Sequence, residues 1–197
     1  MVVPRIGVLA LQGDIAEHQA MLDRSGARPA AVKRAEQLDE IDGLVIPGGE
    51  STAIGKLLRR FEMLEPLRAR IDEGLPVYGT CAGMILMADN VEEAGTDQPV
   101  LGGMHISVRR NAFGRQRESF ETDLTVPAVG AAPLHAVFIR APVIERVGED
   151  VDVLASLPDG RAVAARQGSL LVSSFHPELT EDTRMHRYFV DIVRGAA

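Results

Sequence analysis

Three unbroken apolar runs, each leading into a helix pattern, constrain this chain more than any other feature. Residues 5–11 (Arg-Ile-Gly-Val-Leu-Ala-Leu) and 43–46 (Gly-Leu-Val-Ile) are two of them; the third covers 76–79 and opens on Pro76-Val77-Tyr78. Runs without polar alternation are expected of strands buried on both faces of a parallel sheet. After the first, Gln12-Gly13 turns the chain and Asp14 is placed to cap a helix through about Arg24, with Ile15, His18, Met21 and Leu22 at helical spacing. A short strand near Ala30–Val32 follows. Ser51 is a suitable N-cap for a helix carrying Ile54, Leu57, Leu58 and Phe61. A further helix over about 66–73 leads to strand 76–79 and then to a helix over 82–88. Alternation of this kind predicts right-handed βαβ units and a mostly parallel sheet.

The second half changes character. Segments 104–109, 118–126, 136–140, 151–156, 161–166 and 169–174 read as strands separated by turns such as Pro158-Asp159-Gly160. They predict an antiparallel addition to the same sheet. A closing helix over about 181–194 carries Met185, Tyr188, Phe189 and Ile192 as its apolar stripe. No repeat, low-complexity tract or linker divides the chain. The fold class expected is therefore α/β: a single domain over residues 1–197 with an open mixed sheet, a mostly parallel core, helices on both faces and an antiparallel extension.

With 197 residues, 46% hydrophobic and 25% charged, the chain has ordinary globular composition and length for one full core. Its net charge of −7 argues against nucleic acid or an anionic membrane as the main partner. Basic residues cluster at Arg109-Arg110 and Arg115-Gln116-Arg117, which suits either a solvated face or one arginine aimed at a small anionic substrate. No apolar run approaches the ~20 residues that span a bilayer, and the N-terminus does not read as a signal peptide. A single cysteine excludes an internal disulfide and any multi-cysteine metal site, and fits a reducing, cytoplasmic setting. No cofactor and no metal is assigned.

That cysteine is Cys81, inside Gly79-Thr80-Cys81-Ala82-Gly83 between a strand pattern and a helix pattern. Small residues around a lone thiol at such a junction suggest a nucleophile elbow, where larger neighbours would collide with the adjoining helix and strand. The N–H groups opening the next helix would lower the thiol pKa and receive an oxyanion. The competing reading is a buried structural cysteine, since free Cys is among the most buried residue types.

A cysteine nucleophile needs a base. His18 and His186 lie in predicted helices, and His105 and His135 at strand starts; His176 alone follows the end of a strongly apolar strand, Leu170-Leu-Val-Ser-Ser-Phe175. Sites in open α/β sheets form beyond the carboxyl ends of strands, which favours His176. In His176-Pro177-Glu178 an extended backbone turns residues i and i+2 to one side, so Glu178 is placed to accept the ring N–H and orient the imidazole. Pro47-Gly48-Gly49-Glu50-Ser51 brings paired glycines to the end of strand 43–46. That pair is either a tight βα turn or a close backbone approach to a ligand. No Walker or GxGxxG pattern is present.

These motifs, in this order, resemble the class I (triad-type) glutamine amidotransferases, and within them the glutaminase subunit of pyridoxal 5′-phosphate synthase. The resemblance rests on Gly7-Val-Leu-Ala-Leu-Gln-Gly-Asp14, Pro47-Gly-Gly-Glu-Ser-Thr52, Gly79-Thr-Cys-Ala-Gly83, Arg110-Asn-Ala-Phe-Gly-Arg-Gln116, Phe138-Ile-Arg-Ala-Pro142 and Ser174-Phe-His-Pro-Glu-Leu-Thr-Glu-Asp182. The stretches at 110–116 and 175–181 are the more specific to this branch. It implies Cys81 as nucleophile, His176 as base and Glu178 as its orienter. It also implies glutamine contacts at Gly49, Glu50, Ser51, Arg110, Ile139 and Arg140, with the N–H groups of Gly49 and Ala82 as oxyanion donors. The implied reaction is hydrolysis of L-glutamine to glutamate and ammonia. The ammonia would pass to a synthase subunit, itself a ring-shaped core, that makes pyridoxal 5′-phosphate. A glutaminase serving another synthase, such as the histidine-pathway cyclase, is the alternative. Arg109 has no evident role in this reading.

Overall fold

The three apolar runs become neighbouring strands of one sheet. In the computed structural model, residues 2–92, 98–112 and 119–197 are described. The elements of the first half are β1 (Arg5–Leu9), α1 (Ile15–Arg24), β2 (Arg28–Val32), β3 (Gly43–Ile46), α2 (Ser51–Arg60), α3 (Leu64–Asp72), β4 (Val77–Thr80) and α4 (Ala82–Met87). The second half adds β5 (Ala88–Glu92), β6 (Met104–Arg109), β7 (Ser119–Leu124), β8 (Leu134–Ile139), β9 (Val143–Val147), β10 (Asp152–Ser156), β11 (Ala162–Gln167), β12 (Leu170–Ser173) and α5 (Arg184–Val193).

The main sheet runs β2-β1-β3-β4-β12-β11-β9-β6-β5, with β10 paired to β11. Pairings from β2 through β12 are parallel, and those joining β12, β11, β9 and β6 are antiparallel. Side chains of the parallel strands alternate between two cores. Leu44, Ile46, Val77 and Val172 pack with Ile54 and Leu58 of α2, Leu67 and Ile71 of α3, and α4. Val45, Tyr78 and Leu171 face Leu22 of α1 and Met185, Phe189 and Val190 of α5. Both faces of the central strands are thus covered, which is why their sequences carry no polar alternation. The α4 helix is buried along its whole length.

Three expectations need correction. The second-half strands do not all form an antiparallel addition. β12 enters the parallel core beside β4, and β5 pairs parallel with β6. β7 and β8 leave the sheet and form a separate two-stranded ribbon, whose Leu124, Leu134 and Phe138 pack on the α1/α5 core. Two strands, β5 and β9, lie where none was expected: Asp89 and Asn90 give β5 little strand propensity, and β9 follows Pro142 directly. The basic cluster at 115–117 and the start of segment 118–126 fall outside the described residues.

Candidate active site

The topology brings distant residues to one rim. β1, β3, β4 and β12 are consecutive and parallel, so their carboxyl ends lie side by side, and Ser173 of β12 is in register with Thr80 of β4. Cys81 follows β4 and His176 follows β12; the Cys81 N–H donates to the Ser173 carbonyl at 2.8 Å. Gly48-Gly49 follow β3, and Gln12 and Asp14 follow β1. The β7–β8 ribbon is tied in by the His176 N–H, which donates to the Val137 carbonyl at 2.8 Å. This puts Ile139 and Arg140 across from the elbow.

Cys81 sits at φ 48°, ψ −100°, a conformation that costs a non-glycine residue about 1–3 kcal/mol. The glycines around it are sterically required. A Cβ on Gly79 would stand 2.6 Å from the backbone of Gly83, and one on Gly83 would collide with the Ile46 carbonyl of β3. We therefore expect Gly83→Ala to force β3 and α4 apart at a cost of about 3 kcal/mol. For a chain of this size that lowers Tm by roughly 6–12 °C, measurable by differential scanning calorimetry. Cys81, Asn111 and Arg140 are three of the four non-glycine residues with positive φ among those described, and all three line one pocket.

That pocket has a volume of about 350 Å³. Cys81, His176, Gly49, Glu50, Ser51, Ala82, Arg110, Ile139 and Arg140 all border it, and Glu178 stands behind His176. The His176 Nδ1 is 2.7 Å from Glu178 Oε1, which fixes the N–H on that nitrogen and turns Nε2 towards the pocket. Burial alone would lower the His176 pKa, but the Cys81 sulfur and the Glu178 carboxylate push it up to about 10. At neutral pH the imidazole is therefore protonated, and it faces the cysteine sulfur. Burial holds the Glu178 pKa above the ordinary carboxylate range, opposed by the His176 hydrogen bond. The Cys81 sulfur also lies 3.8 Å from the Ile139 carbonyl. Asp14, His176 and Glu178 bring one ligand atom each within 4.8 Å of one another. With His176 Nδ1 already committed to Glu178, this is hydrogen-bonded geometry rather than an open coordination set.

Some local details differ from the sequence reading. Glu50, not Ser51, caps α2: its carboxylate accepts from the N–H groups of Thr52 (3.2 Å) and Ala53 (2.7 Å). Ser51 is the first helical residue, buried. Asp14 occupies the N-cap position of α1 but makes no side-chain cap bond; its Oδ2 lies 3.5 Å from His176 Nδ1. Arg109 pairs with Glu145 of β9 at 2.6 Å, a link within the sheet. Arg110 reaches Glu50 at 3.2 Å, Gln98 at 3.0 Å and Thr52 at 3.4 Å.

The remaining histidines divide cleanly. His105 and His135 are exposed beside Asp150 and beside Asp123 and Glu121, and those carboxylates raise their pKa values. His18 and His186 are fully buried, and both titrate low: burial holds His18 well below the ordinary range and His186 down to about 3. In the unfolded chain they accept protons near pH 6.5. Below that pH the unfolded state binds more protons, so stability declines as pH falls from about 6.5 towards about 3. We expect Tm to fall across that window, and the fall to be shallower in His186→Phe. His176 acts with the opposite sign, stabilising fully below pH 6.5 and losing that contribution as pH rises through about 10.

The sequence reading missed Gln12, Asp14, Ile85 and Asn111 as pocket residues. Gln12 Oε1 accepts the Glu50 N–H at 2.8 Å and so holds the Gly49–Glu50 segment. The position of Gln12 just past β1 was the available signal.

The cysteine elbow at the end of β4 and the histidine–glutamate pair that follows β12 thus share one rim of the sheet. A solved structure titled "Crystal structure of glutamine amidotransferase" matches with a TM-score of 0.90 at 51% identity, covering 96% of this chain and 98% of that one. The chain belongs to the SNO glutamine amidotransferase family, which it matches over residues 8–194. It is 61% identical over 193 residues to pyridoxal 5′-phosphate synthase subunit PdxT of Frankia alni, covering 98% of this chain and 96% of that protein. It is 56% identical over 201 residues to the protein of the same name in Rhodococcus opacus, covering 99% of this chain and 100% of that protein.

Proposed function

We propose that this chain is the glutaminase subunit of a pyridoxal 5′-phosphate synthase, hydrolysing L-glutamine and passing ammonia to a synthase partner. The observation that carries it is the placement of Cys81, in a strained elbow, beside an imidazole whose far nitrogen is held by Glu178. The names of the Frankia and Rhodococcus relatives favour this synthase over the histidine-pathway cyclase.

In this reading, His176 holds the proton of Cys81 and the thiolate attacks the side-chain amide carbon of glutamine. The carbonyl π pair moves to oxygen, where the N–H groups of Gly49 and Ala82 receive it. Collapse of this adduct breaks the C–N bond. His176 gives its proton to the leaving nitrogen, and ammonia departs. His176 then takes a proton from water, whose oxygen attacks the thioester carbon; C–S cleavage releases glutamate and restores the pair. The loss of one oxyanion donor at such a site costs about a hundredfold or more. Arg110 clamps the α-carboxylate, exchanging its contact with Glu50 for the substrate. Glu50, Ser51, Ile139 and Arg140 complete the glutamine site.

Residues 1–197 act as one catalytic unit docked on the synthase core, a ring in this reading, in the cytoplasm. Among the described residues no helix is long and apolar enough to cross a membrane. The test is ammonia release from glutamine with and without the synthase subunit. Release stimulated by that subunit supports the reading; stimulation by an imidazole-forming synthase alone overturns it.

A further inference from the structure

Glu178 has two carboxylate oxygens, and the triad uses one. Oε1 serves His176; Oε2 is buried, and no hydrogen bond of ordinary geometry reaches it. Facing it at 3.4 Å is Nε2 of His18, from α1, with both side chains fully buried. The same Nε2 lies 3.1 Å from the hydroxyl of Thr80, the residue before Cys81. On its other side, His18 Nδ1 is 2.9 Å from Nε2 of His186, from α5. The Nδ1 of His186 is buried without a partner.

The proton positions follow from this chain. If His18 carried its hydrogen on Nδ1, it would donate to His186 Nε2, and His186 would carry a buried N–H on Nδ1 with no acceptor. His18 would also turn its Nε2 lone pair, with only the Thr80 hydroxyl to donate to it, towards the Glu178 carboxylate. Both arrangements cost free energy. The opposite assignment leaves the His186 Nδ1 lone pair unused: His186 Nε2–H donates to His18 Nδ1, and His18 Nε2–H donates to the Thr80 hydroxyl with Glu178 Oε2 3.4 Å away. Burial keeps both rings neutral, so the pair offers an N–H dipole without a competing charge.

We propose that His18 is a positioning residue of the glutaminase reaction: its Nε2–H, fixed in that tautomer by His186, steadies the second oxygen of Glu178 and so the carboxylate that orients His176. The inference rests on the triad assigned above. His18 does not line the substrate pocket; it acts through Glu178, with Thr80 sharing its N–H. Outer partners of this kind typically alter a site's activity by about ten- to a hundredfold.

The test is steady-state glutamine hydrolysis by the full chain with its synthase subunit, for His18→Leu and His18→Gln, alone and combined with Glu178→Gln. We expect His18→Leu to lower kcat about tenfold with KM for glutamine within about twofold. His18→Gln, which keeps an N–H near the ε position, should restore most of that loss. In the Glu178→Gln background His18→Leu should cost less than about twofold, because the carboxylate it supports is gone. An unchanged kcat in His18→Leu, or an equal loss in both backgrounds, overturns the inference. Cys81→Ala is the control: retained hydrolysis there overturns the triad itself. Should His18→Leu not fold, ¹⁵N-histidine NMR of the wild-type chain decides. A His18 ring protonated at Nε2 supports the inference, and one protonated at Nδ1 overturns it.

Discussion

Cys81→Ala is expected to abolish glutamine hydrolysis, lowering kcat by about 10⁴-fold or more, while leaving the fold and synthase binding intact. The size of the effect follows from the absence of a substitute. Cys81 is the only thiol in the chain, and Ser51, the pocket hydroxyl residue of the implied glutamine site, is buried in the first turn of α2 rather than held at the elbow. Alanine meets the same positive φ that cysteine does, so the backbone strain at the elbow is unchanged and Tm should move little. Ammonia release together with calorimetry checks both halves of this expectation.

His176→Asn should be nearly as damaging, lowering kcat by about 10³- to 10⁴-fold. The variant loses the cation beside the sulfur at rest, the proton donor for departing ammonia and the base for the attacking water. Asparagine still reaches Glu178, so the loss is chemical rather than architectural. Glu178→Gln should cost about a hundredfold: the imidazole keeps a partner but loses the charge that helps hold its pKa near 10. The ordering Cys81→Ala, His176→Asn, Glu178→Gln is the signature of a nucleophile, its base and the base's orienter. A single-turnover assay with the synthase subunit present would read it directly.

Much of this was legible in the residues. The unbroken runs at 5–11, 43–46 and 76–79 announced buried parallel strands because no face of them meets water. The small residues around Cys81 announced a turn with no room for a Cβ, as the Gly83–Ile46 contact makes explicit. The partner of β12 was not legible. Leu170-Leu-Val-Ser carries the same apolar signature as any buried strand, and local pattern does not say whether its neighbour runs with or against it. Yet that parallel pairing is what sets His176 beside Cys81. The β7–β8 ribbon was hidden for the same reason, since its alternation suits an edge of the main sheet as well as a separate hairpin. Capping also misled locally. Ser51 has the preferred residue type, but Glu50 is better placed to accept from Thr52 and Ala53 and to meet Arg110. His18 read as an apolar-stripe residue at helical spacing, and only the fold shows it reaching a residue 160 positions away (178 − 18).

The most direct measurement is covalent trapping with a glutamine analogue that carries an electrophilic carbon at the side-chain carbonyl position, followed by peptide mass spectrometry. If His176 and Glu178 hold Cys81 ready at the rim of the sheet, one adduct per chain should form on Cys81 and ammonia release should stop in proportion, with labelling strongly slowed in His176→Asn. Inactivation that leaves Cys81 unmodified, or labelling at Cys81 that proceeds as fast without His176, would contradict the account.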